Sequence, residues 1–544
     1  MWQKRPFQAR AIGRSAETAA QDVLNGKILL FWVLAFTAAG FYLRGIVDSP
    51  AALTARFSID DSFYYFETAW QTRLNGFVTF DGLHPTNGVH FLWFAVLSAV
   101  AWLSPGKLFL LYAAYGVSLL LVLGVYWGIW RVGTLVGDTS RLLTLLLGLF
   151  WTFLLSDRIN LFFVGMESTL HMAVLWGALA AGLTLLRAAG ESSAFPGRQF
   201  LVFTLWLVLV TWTRLDSAVF TAALYLYALA MLGPRRFLHE PGARTWLAAS
   251  LAIAGVGAAM QIAFFLGAGG TVLPVSALVK ASGMVPGSDA GIWERVMSVV
   301  FPMTPFIAKH TPLHFAVELA LFAALLYFAV RRAVKAPPPL RHYYGIAAAL
   351  GGATVVYAAL VSADHEPFWR WYLSPVYLFY GLTIAGALRE AREGLRWRLF
   401  RLPLLAASVG VFVSFCFIVL FFATYTAVPH FLARAQLGLF LKQVTAEDDV
   451  LAAFNAGQLA FFSERRTVNL DGLVNDRRYL ETILGNPDAL AGYLRESGVH
   501  YAVDYDFYWG KDTVEGNTTV SYTFPVPDDH FGRVLYVRRM GNVQ

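Results

Sequence analysis

Gly88-Val-His-Phe-Leu-Trp-Phe-Ala-Val-Leu-Ser-Ala-Val-Ala-Trp-Leu103 is an apolar run whose placement decides the topology of everything that follows it. A helix needs ~20 residues to cross the ~30 Å hydrocarbon core of a bilayer, and this run is short of that. If it crossed, every later loop would invert. If it lies along the membrane edge, the strongly basic short segments all fall on one side. These are the N-terminus (Lys4, Arg5, Arg10, Arg14, Lys27), Arg131/Arg141, Arg187/Arg198, Arg235/Arg236/Arg244, Arg331/Arg332/Lys335/Arg341 and Arg389/Arg392/Arg396/Arg398/Arg401, half of the 42 Lys and Arg residues. Cytoplasmic loops carry such an excess. The run is therefore read as interfacial, the N-terminus as cytoplasmic and the C-terminus as exterior.

Composition agrees with a membrane setting. Of 544 residues, 57% are hydrophobic and only 14% charged, where a soluble chain carries about a quarter; mean hydropathy is +0.55. Long apolar runs fall near 28–47, 108–130, 142–156, 166–186, 199–213, 216–232, 246–266, 315–330, 342–361, 371–388 and 402–427, giving about eleven spans. The first is read as an uncleaved span, being longer than a signal-peptide core and followed by no small-residue cleavage site. The net charge of +7 sits in short loops between spans and so gives no reason to expect nucleic acid. The lone Cys416, in an apolar run, excludes an internal disulfide.

After Pro429 the pattern changes. Short apolar stretches at Val450–Phe454, Thr467–Leu470, Val499–Asp504 and Val534–Val537 alternate with helical patterns at Asp476–Leu484 and Asp488–Glu496. That alternation predicts a small α/β domain. The chain divides at residues 1–429, a membrane module whose first exterior loop covers 48–107, and 430–544, an extracytoplasmic domain.

The interfacial reading gathers the unusual polar residues at one face. Ser58-Ile-Asp-Asp-Ser-Phe-Tyr-Tyr-Phe-Glu67 carries the adjacent Asp60 and Asp61. Charges at a bilayer edge are costly and mark functional sites by default. Two readings stand: one aspartate caps a helix, or one is a general base with the other orienting an acceptor or a cation. His84-Pro-Thr-Asn-Gly-Val-His90 reads as a turn in which Asn87-Gly88 permits positive φ, and His84 and His90 as hydrogen-bonded loop histidines. No His/Cys set has zinc spacing. Lys280, and Arg370 between two tryptophans, are cations at the same face, suited either to snorkelling or to holding a phosphate. Glu167 opens a span, where the helix dipole favours a carboxylate. Arg214 and Asp216 read first as a structural pair between two short helices. In Asn469-Leu-Asp-Gly-Leu-Val-Asn475, Asp471-Gly472 marks a turn at a strand end.

These landmarks resemble those of the GT-C superfamily of integral-membrane glycosyltransferases, in particular the bacterial branch of protein O-mannosyltransferases and the lipid A aminoarabinose transferase. The resemblance rests on Asp60-Asp61 before aromatics, on His84-Pro-Thr-Asn-Gly, and on Gly165-Met-Glu167, Thr213-Arg-Leu-Asp216, Lys280 and Arg370-Trp-Tyr-Leu-Ser-Pro375. It runs over nearly the whole chain. The sequence departs from the mannosyltransferase pattern in Asp-Asp for Asp-Glu and in Thr-Asn-Gly after His-Pro. The resemblance implies a GT-C-like polytopic α-helical protein in a bacterial inner membrane. Its activity would be inverting transfer of a sugar from a polyprenyl-phosphate donor to a hydroxyl of a glycan, lipid or protein acceptor. Asp60 and Asp61 would be catalytic and Arg370 and Lys280 would hold the donor phosphate. His84, Asn87, His90, Glu167, Arg214, Asp216 and Tyr372 would bind substrate. A magnesium or manganese ion on Asp60 and Asp61 is compatible with this but not required. The rival readings are a transporter or flippase of lipid-linked sugars, and a non-catalytic glycolipid-binding protein.

Overall fold

The computed structural model describes residues 24–36, 58–156, 165–282, 312–361, 372–394, 429–505, 518–525 and 534–540, with a few isolated positions besides. Within them, five helices are long and apolar enough to cross a membrane: Lys107–Leu135, Ser168–Glu191, Leu215–Leu232, Pro241–Gly269 and Leu340–Leu360. They match the runs expected at 108–130, 166–186, 216–232, 246–266 and 342–361. Gly197–Thr213 and Leu142–Ser156 are shorter apolar helices, while the runs at 315–330 and 371–388 fall inside Pro312–Lys335 and Ser374–Gly394. The run at 402–427, and the second half of 28–47, lie outside the described residues. The chain is a multi-pass membrane protein. Ser168–Glu191 is the central helix, with 78% of its apolar window inside the bundle, whereas Pro241–Gly269 is peripheral at 22%.

Phe91–Leu103 is a helix of 13 residues, about 20 Å long at 1.5 Å per residue, which is too short to span. It packs along the Asp60–Asn75 helix. Arg73 binds the carbonyls of Ala101 (2.9 Å) and Ser104, so the two helices form one platform at one end of the bundle.

The C-terminal residues form a five-stranded sheet in the order β2-β1-β3-β5-β4: β1 Val450–Ala453, β2 Arg466–Asn469, β3 Val499–Tyr505, β4 Thr518–Pro525 and β5 Val534–Met540. β1 pairs in parallel with β2 and β3, and β5 runs antiparallel between β3 and β4. Parallel neighbours need crossover connections, here supplied by the helices Gly457–Ser463 and Pro487–Glu496. Four strands stand where the apolar stretches put them. β4 was not expected: its Thr-Thr-Val-Ser-Tyr-Thr is an exposed edge with no buried face to give it a hydrophobic period. The helix expected over Asp476–Leu484 is present over 477–483, widening to a π-helical turn at Tyr479–Ile483.

The sheet domain is docked on the first loop rather than tethered beside it. Phe461 and Phe462 of the Gly457–Ser463 helix enter the main hydrophobic core, with ring centroids 5.2 and 5.7 Å from Phe63. Lys107 Nζ, at the head of a spanning helix, bonds both oxygens of buried Glu67 (2.9 and 2.7 Å) and the Ala460 carbonyl (3.3 Å). The Asp60 carboxylate accepts from the amides of Gly457 (3.0 Å) and Gln458 (2.8 Å). Asp60 therefore does cap a helix, one almost 400 residues away instead of its own.

Gly88 does not use the positive φ expected of it. A β-carbon there would stand 1.8 Å from the Leu473 carbonyl oxygen, so glycine is required for the close approach of two backbones. Replacing Asp60 with alanine removes the cap and should lower stability by about 0.5–2 kcal/mol, whereas asparagine, whose single amide oxygen can accept from only one of the two amides, should restore part of it. Thermal unfolding of the detergent-solubilised chain reads both.

Candidate active site

At the platform end of the bundle, a pocket of about 50 Å³ is lined by Asp61, Tyr64, Tyr65, Gly88, Val89, His90, Met166, Glu167, Ser276, Lys280, Tyr372 and Leu473. Five separate stretches (61–65, 88–90, 166–167, 276–280 and 372) and the sheet domain thus contribute to one small volume.

The Asp60–Asn75 helix supplies the first wall. Adjacent helical positions point about 100° apart, and positions three and four apart share a face. Asp61 therefore lines the pocket with Tyr64 and Tyr65, while Asp60 is committed to the sheet domain. Burial raises the Asp60 carboxyl above the ordinary carboxylate range, and the Arg434 guanidinium and the two amides pull it down. Each Asp60 oxygen accepts from one backbone amide of the sheet domain. Among the described residues no group of three or more His, Cys, Asp and Glu side chains could hold a metal ion.

The second wall is an ionic network. Glu167, fully buried, receives Arg214 on one oxygen and the Tyr65 hydroxyl on the other at 2.8 Å. Arg214 also grips Asp216 through two bonds (3.1 and 2.8 Å), and Tyr357 donates to Asp216 at 2.8 Å. The Arg214 guanidinium lies 4.2 Å from the Tyr372 ring centre, within cation–π range. Arg214 and Asp216 are thus the structural pair that the spacing suggested, with Glu167 as a third member. His90 stands 3.6 Å from Glu167 and stacks on Tyr65 at 6.5 Å. Burial lowers its pKa, so at neutral pH it is an uncharged imidazole.

Lys280 closes the third side. It is on the short helix Val275–Ala281, one turn after Ser276, and its ammonium donates to the Tyr372 hydroxyl. That helix is positioned by Asn87. Buried Asn87 donates to the Phe265 carbonyl (2.9 Å) and Thr271 hydroxyl (2.7 Å) and accepts from the Val275 amide (2.8 Å). The polar atoms of Asn87 are thus spent on the scaffold, which corrects its expected role in substrate binding. His84 is likewise outside the pocket, bonded to Asp81 at 2.7 Å and packed on Tyr493 of the sheet domain. Arg370 lies outside the described residues.

Tyr64, Tyr65, Ser276 and Leu473 escaped the sequence reading. The aromatic run after Asp61 reads in sequence as an interfacial face, although Tyr64 and Tyr65 stand at i+3 and i+4 from Asp61, and Ser276 and Lys280 share the same i, i+4 spacing. Leu473 had no local signal.

Beside the pocket, an apolar groove of about 480 Å³ opens between Gly197–Thr213, Ala218–Leu232 and Pro241–Gly269. Leu207, Val208, Trp212, Leu251, Ile262 and Phe265 line it, with Leu215 and Leu273, which are next in sequence to Arg214 and just ahead of Ser276.

With this geometry in place, the chain can be compared with known proteins. It shares its fold with ArnT from Cupriavidus metallidurans: 14% identity, 94% of this chain and 98% of that one covered, TM-score 0.51. The shared fold is that of a polytopic helical membrane protein with a C-terminal domain, as expected from the sequence. The archaeal oligosaccharyltransferase AglB from Archaeoglobus fulgidus, in complex with an inhibitory peptide and a dolichol-phosphate, aligns at 11% identity and TM-score 0.48, over 93% of this chain and 74% of its own. Residues 425–537 match a family described as Domain of unknown function (DUF8728). No curated protein matches the sequence.

Breaking a buried ion pair costs roughly 3–5 kcal/mol, and an exposed pair at most about 1. Glu167→Leu should therefore lower the unfolding temperature sharply, while Glu191→Ala, which removes the exposed partner of Arg187, should leave it nearly unchanged.

Proposed function

We propose that the chain is a bacterial inner-membrane glycosyltransferase that moves a sugar from a polyprenyl-phosphate donor to an acceptor hydroxyl at the exterior face, with inversion. One observation carries this reading: a carboxylate and an ammonium, Asp61 and Lys280, share a small pocket beside a long apolar groove between helices. A groove with that lining suits an isoprenoid chain, and its end beside Ser276 would deliver the phosphate to Lys280. The shared fold with ArnT supports the same reading at the level of architecture.

Asp61 then removes the proton of the acceptor hydroxyl, whose oxygen attacks the anomeric carbon as the bond to phosphate breaks. The leaving phosphate gains charge, and preorganised cations and hydroxyls stabilise such charge without reorganising. Lys280 and the Tyr372 hydroxyl fill that role, with Arg370 as a proposed further contact. His90 and the Glu167 network shape the sugar side. A transporter of lipid-linked sugars would place ionisable groups near mid-bilayer, at repeat interfaces. Here they cluster at one end of the bundle, which favours the enzyme.

Aspartates 60 and 61 should separate cleanly. Asp61→Asn should lower transfer by about 10²–10⁴-fold, the range of a positioned base, and leave polyprenyl-phosphate binding intact. Asp60→Asn, which keeps one of the two cap bonds and lies outside the pocket lining, should retain far more transfer than Asp61→Asn. Lys280→Ala should weaken donor binding about tenfold or more, since a hydrogen bond to a charged group contributes roughly 1.5–3 kcal/mol. Initial rates and equilibrium binding with radiolabelled polyprenyl-phosphate hexose check all three. Full transfer by Asp61→Asn would refute the assignment.

A further inference from the structure

The pocket has a polar exit through the sheet domain that the reaction described above does not use. Tyr64 lies one helical turn beyond Asp61 on the same face, and both line the pocket. From Tyr64 a row of hydrogen bonds leads outward. Its hydroxyl donates to Asp471 Oδ2, and its oxygen accepts from Asn469 Nδ2 at 3.3 Å. The Leu473 amide donates to Asp471 Oδ1 at 2.8 Å, and the Gly472 amide to Asn469 Oδ1 at 3.0 Å, fixing the loop. Tyr64 is 5% exposed and Asp471 only partly buried, so the row runs from the interior toward water. Its members belong to Asn469-Leu-Asp-Gly-Leu-Val-Asn475, which on its sequence alone reads as a turn.

The Asp471 carboxyl is tuned to exchange a proton near neutrality. Burial lifts it to about 7, against the bonds from Tyr64 and the Leu473 amide; Asp61 and Asp60 add to the rise. The titratable groups that face it are Tyr64, Asp60 and Asp61 from the first-loop helix, and Tyr479 from the turn that follows its own loop.

We propose that Asp471, acting through Tyr64, receives the proton that Asp61 takes from the acceptor and so resets the base for the next cycle. The inference rests on the reading of Asp61 as that base. In the transfer step the acceptor O–H bond breaks and its proton goes to Asp61. The acceptor oxygen bonds to the anomeric carbon, and the phosphate leaves with the electron pair of the broken C–O bond. In the reset, the Asp61 proton crosses the pocket, whose volume is that of one or two waters, to the Tyr64 oxygen. The Tyr64 proton moves along its existing bond to Asp471 Oδ2, and from there to solvent. One carboxylate is restored as the other is neutralised, and charge balances. Asp471 touches no substrate; it is a positioning and relay residue.

The relay needs Asp471 ionised to accept, so transfer should rise as pH passes through about 7 and fall below it. Two measurements on the full chain in lipid nanodiscs test this. Infrared difference spectra between acid and alkaline pH should show a protonated-carboxyl band titrating near neutrality. That band should be lost in Asp471→Asn and displaced in Tyr64→Phe. This readout needs no turnover, and a band that is absent, or untouched by Asp471→Asn, overturns the proposal even in an active transferase. Initial rates with radiolabelled polyprenyl-phosphate hexose form the second arm. Asp471→Asn should flatten the neutral limb, losing about a hundredfold at pH 8, the lower end of what a positioned proton acceptor supplies, and much less at pH 6. Asp471→Glu should recover the limb. A folded Asp471→Asn or Tyr64→Phe chain with the parent pH profile refutes the relay. A parent chain that transfers nothing refutes the underlying transferase reading as well, whatever the spectra show.

Discussion

The structure depends on the bond between the Asp60 carboxylate and the first amides of the Gly457–Ser463 helix. A buried carboxylate must be paired, and free amides at a helix start must be capped. Each need meets the other across almost 400 residues of sequence. Fixing Asp60 toward the sheet domain also fixes the rotation of the Asp60–Asn75 helix, which turns Asp61, Tyr64 and Tyr65 into the pocket. Phe461, Phe462 and the Lys107–Glu67 pair then fill and bolt the same joint. Docking of the sheet domain and orientation of the pocket carboxylate are one event.

The ionic network has a comparable effect on charge. Arg214 is enclosed by Glu167, Asp216 and the Tyr372 ring, so its charge is balanced within the scaffold. Lys280 meets the same tyrosine at its hydroxyl and faces the pocket. Tyr372 therefore stands between a cation enclosed by the scaffold and one that lines the pocket, and meets both.

What the sequence revealed was what local patterns encode. Hydropathy marked the five helices long enough to span and the short helix at Phe91–Leu103, and alternation marked four of the five strands. The gathering of Asp61, His90, Glu167 and Lys280 at one end followed from topology alone. What stayed hidden depends on partners far along the chain. Nothing near Asp60 distinguishes it from Asp61, because its donors are the amides of residues 457 and 458. Asn87 and Gly88 looked like a turn, yet one holds the ends of two helices at 265–275 and the other yields space to Leu473. His84 met its aromatic neighbour in Tyr493. Edge strand β4 had no buried face to betray it.

The cavity's platform wall is pinned by the Asp60 joint, while its far side is the contact between the Lys280 ammonium and the Tyr372 hydroxyl. The short helix that carries Lys280 is tied at its first amide to the Asn87 side chain, and Gly88 beside it abuts the Leu473 carbonyl. Turn, short helix and sheet domain are therefore geared together, and a displacement of any one of them is transmitted to the ammonium.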